Sequence, residues 1–212
     1  MLIDRRTYRI LSGHWNDALA LITEIRQLTR DLMQGDFEIL SARYGPFQTV
    51  ALEFAFDNEE EQQTFFHRQF YPALQERGWL DGWFSYVMYA DAHNLKTVER
   101  AEEIPEKAAQ APRPGMLVHR HYFEPLIAGD ALGRSLELRD AIRDQFQRNF
   151  RITRHHFSGV MTAVYWEFCS ATPSEQQVFD DFWYGLLSEN DLMTEFAKHA
   201  RLGYSELWYS HP

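Results

Sequence analysis

Histidine is the side chain whose charge changes nearest neutral pH, and its distribution in this sequence is lopsided. His14, His67 and His93 fall early, whereas His119, His121, His155, His156 and His199 crowd the second half, with His211 in the tail. His119 and His121 alternate, so in an extended segment they share one face. His155 or His156 is expected on a second strand, and Tyr165 and Glu167 on a third. In a sheet whose first and third strands are neighbours, His119, His121, His155 and Glu167 would converge as a catalytic set. Two imidazoles and a carboxylate are the ligands of non-haem iron, a single imidazole can hold haem, and a neutral imidazole is the usual general base near pH 7. No HxxxH helix or other fixed metal spacing accompanies them. Tyr122, Tyr165, Trp166, Trp183 and Trp208 are expected to line an adjoining pocket for a flat, hydrophobic ligand, although core packing is the ordinary fate of any one aromatic.

Glu53 and Glu167 stand at equivalent points of two apolar segments, and a buried carboxylate is costly unless paired. Arg6 and Arg120 on the opening strands are the expected partners. The competing expectation is an acid–base group with a raised pKa. Cys169, the one cysteine, excludes an internal disulfide and reads as inert packing.

These residues sit in a repeat. Leu52-Glu53-Phe54 followed by Glu61-Gln62-Gln63-Thr64-Phe65 is echoed, 114 residues on, by Trp166-Glu167-Phe168 and Glu175-Gln176-Gln177-Val178-Phe179. Arg6 and Tyr8 map to Arg120 and Tyr122 at that offset. Each copy reads strand, helix, hairpin, helix, short helix, strand. In the first copy these are Leu2–Ile10, Trp15–Leu32, the hairpin strands Phe37–Tyr44 and Thr49–Phe56, a helix starting at Asn58, Trp79–Met88, and Asn94–Val98. In the second copy Asp191–His199 and Tyr204–Tyr209 close the module. Asn58 with Glu61, and Thr172-Pro173 with Glu175, are helix-start patterns. The fold class is α+β: two ferredoxin-like βαββαβ repeats, residues 1–98 and 116–212, with a proline-containing linker over 99–115. Strand three carries Val50, Leu52, Phe54 and Phe56 on one face and Ala51, Glu53 and Ala55 on the other. The two open sheet faces are expected to pack together as an intramolecular pseudo-twofold barrel with apolar surfaces hidden.

Composition narrows the partners. A formal charge of −10 with scattered Lys and Arg argues against nucleic acid or an anionic membrane. The charged start Met1-Leu2-Ile3-Asp4-Arg5-Arg6 and the lack of a long apolar run predict a soluble, cytoplasmic protein. P-loop, GxGxxG and GxSxG motifs are absent, which disfavours nucleotide cofactors and serine-hydrolase chemistry.

The segments Ile3-Asp4-Arg5-Arg6-Thr7-Tyr8 ahead of Gly13, and Gly78-Trp79-Leu80-Asp81-Gly82-Trp83-Phe84, resemble the NIPSNAP branch of the dimeric α+β-barrel superfamily. The resemblance covers most of the first copy and, in the second, Phe150–Tyr184. It implies ligand binding between sheet and helices, and a menu of cofactor-free monooxygenases, cyclases and haem proteins. The expected function is cofactor-independent oxygenation, cyclisation or isomerisation of a hydrophobic aromatic metabolite, with no cofactor. Haem or non-haem iron binding, and a non-catalytic assembly role, are the alternatives; a homodimer is compatible with either.

Overall fold

In a computed structural model, residues 1–33, 36–44, 47–97, 115–126, 130–146, 150–155, 163–189 and 191–212 are described. The expected linker lies almost wholly outside them. The elements run β1 (Leu2–Ile10), α1 (Trp15–Met33), β2 (Glu38–Tyr44), β3 (Thr49–Phe56), α2 (Glu59–Thr64), a π-helical turn (Phe65–Phe70), α3 (Tyr71–Glu76), α4 (Trp79–Tyr86) and β4 (Val87–Thr97). They continue as β5 (Leu117–Pro125), α5 (Ala131–Phe146), β6 (Phe150–His155), β7 (Val164–Ser170), α6 (Pro173–Glu189), α7 (Asp191–Ala197) and β8 (Ala200–Ser210).

The strands close into an antiparallel barrel in the order β1-β3-β2-β8-β5-β7-β6-β4. Reading outward from the seams, β4-β1-β3-β2 is answered by β8-β5-β7-β6. Seam β2–β8 pairs Leu40 with Ser210 and Ala42 with Trp208. Seam β4–β6 is shorter, pairing Leu95, Lys96 and Thr97 with His155, Arg154 and Thr153.

Helices cover the outside. Ala18, Ile22, Ile25 and Leu28 recur at three- and four-residue steps along α1 and bury against Val50, Leu52, Phe54 and Phe56. Phe65, Phe66 and Phe70 complete that core, Phe66 meeting Phe54 edge-on at 5.2 Å. Both helix-start patterns act as read: Asn58 Oδ1 accepts from the Glu61 amide at 3.0 Å, and Thr172 Oγ1 from the Glu175 amide at 3.1 Å. The helix from Asn58 is not continuous, however. It widens into the π turn just before Pro72, whose ring would collide with the carbonyl four residues back in a regular helix. The closing strands are also longer than expected, β4 beginning at Val87 and β8 at Ala200.

The expectation of apolar faces meeting inside holds in two small clusters, Ile3 and Leu95 with Tyr122 and Tyr165, and Leu40 and Ala51 with Val118 and Trp208, but not at the centre. The helix-facing side of β3 holds the large apolar residues, and the inward side holds Ala51 and Glu53. The middle of the barrel is charged.

Candidate functional site

Two polar constellations occupy opposite faces of the sheet, and strand register decides which residue belongs to which. On β5, Arg120 stands opposite Glu167 and His121 opposite Trp166. Directly opposed residues share a face. Arg120, Tyr122, Tyr165 and Glu167 therefore point inward, while His119 and His121 point outward beneath α6. The expected convergence of His119, His121 and Glu167 does not occur.

Under α6, Gln176 and Asp180 lie one turn apart and face β5. Gln176 is fixed by three contacts: its Oε1 accepts from Ser170 Oγ at 3.0 Å, and its Nε2 reaches Asp180 Oδ1 at 2.9 Å and His119 Nδ1 at 3.0 Å. Because a carboxylate only accepts, the Nε2 amide donates to both, and His119 Nδ1 is an acceptor. Neutral His119 then carries its proton on Nε2. Asp180 Oδ1 sits 3.6 Å from the same ring. The His121 ring lies 4.4 Å from that of His119, tilted by 43°, and contacts Ser205 Oγ through Nδ1 at 2.7 Å, with Phe168 alongside. Burial pushes the His121 pKa down to about 3, helped by His119; burial also lowers His119, against the pull of Asp180. Both rings are neutral at pH 7, and neither is a strong base.

The corresponding face of the other half has different chemistry. By register with Phe54 and Leu52, Asp4 and Arg6 occupy the places of His119 and His121. Gln62, like Gln176 four residues past its cap, bonds Asp4 Oδ2 and Asn94 Oδ1, each at 2.7 Å. Arg6 pairs with Asp4 at 2.7 Å, bonds the Tyr71 hydroxyl and lies 3.7 Å over the Phe66 ring. This face is occupied by an ion pair and stacked aromatics.

Inside the barrel, Arg5, Arg120 and Arg151 interleave with Glu53 and Glu167. Arg5 Nε meets Glu53 at 2.6 Å and its Nη2 meets Glu167. Arg120 meets Glu167 at 2.6 Å and Glu53 at 2.7 Å; Arg151 Nη2 meets Glu53 at 3.1 Å, and Arg151 also bonds Glu167. Thus Glu53 pairs with Arg5 rather than the expected Arg6, because Arg5 is the residue in register with it. Burial works to raise the Glu167 pKa, but Arg151, Arg120 and Arg5 hold it well below the usual carboxylate range; Glu53 is lowered likewise, Arg5 foremost against burial. Glu167 is an ionised structural anchor, not the acid–base group of the sharper expectation.

The remaining predicted residues separate. His155 points inward, its Nε2 3.0 Å from the Tyr165 hydroxyl and its ring 5.0 Å from His93. Tyr122 stacks on Tyr204 at 4.8 Å, a fit that depends on Gly203, where a Cβ would lie 2.7 Å from the Tyr122 ring. Trp166 is in the outer core, its Nε1 donating to Ser135 Oγ at 2.8 Å, whereas Trp208 is inward, with Nε1 3.0 Å from Glu206. Trp183 lies on α6, and its side chain is outside the described residues. Burial raises the Cys169 thiol to about 12, so it is inert. An open groove of about 450 Å³, lined by Leu32, Asn58, Glu60, Glu61, Thr64 and Phe65 among others, touches none of the predicted site residues. Sequence reasoning missed Gln176, Asp180, Ser205, His93, Arg5 and Arg151. Gln176 had a signal, being in the repeated Glu-Gln-Gln string at a buried position.

No family model matches the chain, and no curated protein matches it. Solved structures do. A monooxygenase-like protein from Lactobacillus acidophilus superposes with TM-score 0.62 at 7% identity, over 99% of this chain and 93% of its own. An anthrone oxidase-like protein gives 0.61 at 9% identity, over 100% and 91%. A heme-binding protein from Thermus thermophilus gives 0.58 at 13% identity, over 99% and 90%. At these identities the likeness is one of fold alone, a closed α+β barrel. A NIPSNAP domain protein from Burkholderia xenovorans matches half of the chain at TM-score 0.37, too slight to extend the NIPSNAP resemblance.

Proposed function

We propose that the face of β5 beneath α6 binds a hydrophobic aromatic ketone with an acidic C–H and promotes its enolisation. One observation carries this reading: neutral His119 lies 3.6 Å from Asp180 with the His121 ring 4.4 Å beyond it, where the other half holds the ion pair of Asp4 and Arg6. The His119 Nε2–H donates to the ketone oxygen, and Asp180 takes the carbon-bound proton. A neutral imidazole suits the electrophile because it stabilises developing oxyanion charge without first ionising the carboxylate's partner. His119 is thus a donor in place of the general base expected from sequence. Phe123 and Phe168 supply apolar walls. The enolate reacts with dioxygen, a –CH2– becoming C=O with release of one water, the chemistry suggested by the anthrone oxidase-like neighbour. On this reading residues 1–98 and 116–212 are duplicated modules joined by 99–115, and the second keeps the site.

The test uses anthrone as probe, following hydrogen–deuterium exchange of its methylene and oxygen uptake. H119A is expected to lower exchange about 100-fold or more, as for removal of an oxyanion donor. D180N should cost about 100-fold as well. Exchange that survives both substitutions sinks the proposal, and a His121-dependent haem absorbance on adding hemin would replace it with the haem-binding alternative.

A further inference from the structure

We propose that His93 on β4 and His155 on β6 form a two-imidazole site for a divalent transition-metal ion of the zinc type, at the β4–β6 seam. The site is separate from the β5 face beneath α6, since both rings lie on the inward face of the sheet.

The geometry has three parts. First, each ring has its Nε2 tied to an oxygen: His93 to Asp91 Oδ2 at 3.0 Å, and His155 to the Tyr165 hydroxyl at 3.0 Å. Metal-bound histidines are held in this way, the far nitrogen donating to a carboxylate or other oxygen. The anchors are themselves fixed, Asp91 Oδ1 accepting from the Ala92 amide at 2.9 Å and Tyr165 hydrogen-bonding Tyr204. Second, with each Nε2 donating, each Nδ1 presents a lone pair, and both Nδ1 atoms are buried without a hydrogen-bond partner. A buried polar atom left unpaired is costly, and a ligand there recovers that cost. His155 is 4% exposed.

Third, the spacing fits. A Zn–N bond of about 2.0–2.1 Å puts a metal roughly 3.2 Å from each imidazole centre, so two rings at a tetrahedral angle have centres roughly 5.2 Å apart. The observed separation is 5.0 Å, with the rings inclined at 66°. Among the described residues no group of three His, Cys, Asp or Glu gathers to hold a metal, so water fills the remaining positions. The His93 side chain is 30% exposed and gives the ion a way in. Arg5, whose charge acts on His155, is itself paired with Glu53 and Glu167. Neither histidine was paired with the other by spacing in the sequence, because 62 residues separate them and only the seam register unites them.

Calorimetric titration of the full chain with Zn(II), and the visible spectrum with Co(II), test this. One equivalent is expected to bind, with each of H93A and H155A weakening affinity at least about 10-fold and D91N about 10-fold through loss of the anchor. H119A should bind as the wild type does. Circular dichroism checks each fold; if H155A unfolds, H93Q and D91N decide the matter. Absence of binding, binding unchanged in H93A, or binding lost in H119A would each overturn the site.

Discussion

Two buried carboxylates place the strictest demands on individual residues. Glu53 and Glu167 each face three guanidinium groups, so removing one negative charge leaves arginine uncompensated in the barrel. E167Q is expected to lose about 3–5 kcal/mol in urea denaturation, and a loss under about 1 kcal/mol would contradict the network. Their pKa values are depressed in the folded state, so their contribution is complete above the unfolded carboxylate pKa and disappears as pH falls below it. Glu38 behaves oppositely. Burial raises its pKa from 4.5 to about 7, against the Ser210 hydroxyl bond. The folded state therefore holds an extra proton, and stability from this group is present below pH 4.5 and lost as pH rises through 7. E38Q should match the wild type near pH 5 and exceed it by about 2 kcal/mol at pH 8, as paired thermal melts would show. Sequence identified Glu53 and Glu167 as paired buried acids from their repeated context. It could not choose Arg5 over its neighbour Arg6, because a one-residue slip reverses every face of a strand and nothing local fixes it.

Among the elements, the caps were legible because they are local: a side-chain oxygen and an amide three residues on. The π turn and the early start of β4 were not, since they answer to Pro72 and to pairing with β1. The facing of His119 and His121 required the β5–β7 register, which depends on Arg120 meeting Glu167. Among the described residues, seam β4–β6 has the shortest ladder. Amides of Leu95–Thr97 should exchange hydrogen faster than those of Val118–Tyr122 on β5, and the reverse order would refute this ranking. On β8, Gly203 is held to its identity by the Tyr122 ring. G203A should destabilise by about 1–3 kcal/mol as the Tyr122–Tyr204 stack is pushed apart, read as a lowered melting temperature.

For the whole molecule, the ion pairs that cross between residues 1–98 and 116–212 make each part dependent on the other. Arg5 reaches Glu167, while Arg120 and Arg151 reach Glu53. Expressed apart, the second fragment would bring Arg120 and Arg151 to the interior against Glu167, with an excess of positive charge. Mixed fragments are expected to elute as a one-to-one complex, and fragments that ignore each other would argue against a shared interior. The overall α+β class was legible from element order, whereas the charged centre was hidden because composition does not say which face a residue takes. Closure has one more consequence. Among the described strands each has a neighbour on both sides, so no row of unpaired backbone groups is offered as a template to another chain. A sequence with sixteen phenylalanines thus keeps its described strands paired, and recruitment into a cross-β stack would first require a seam of the barrel to open.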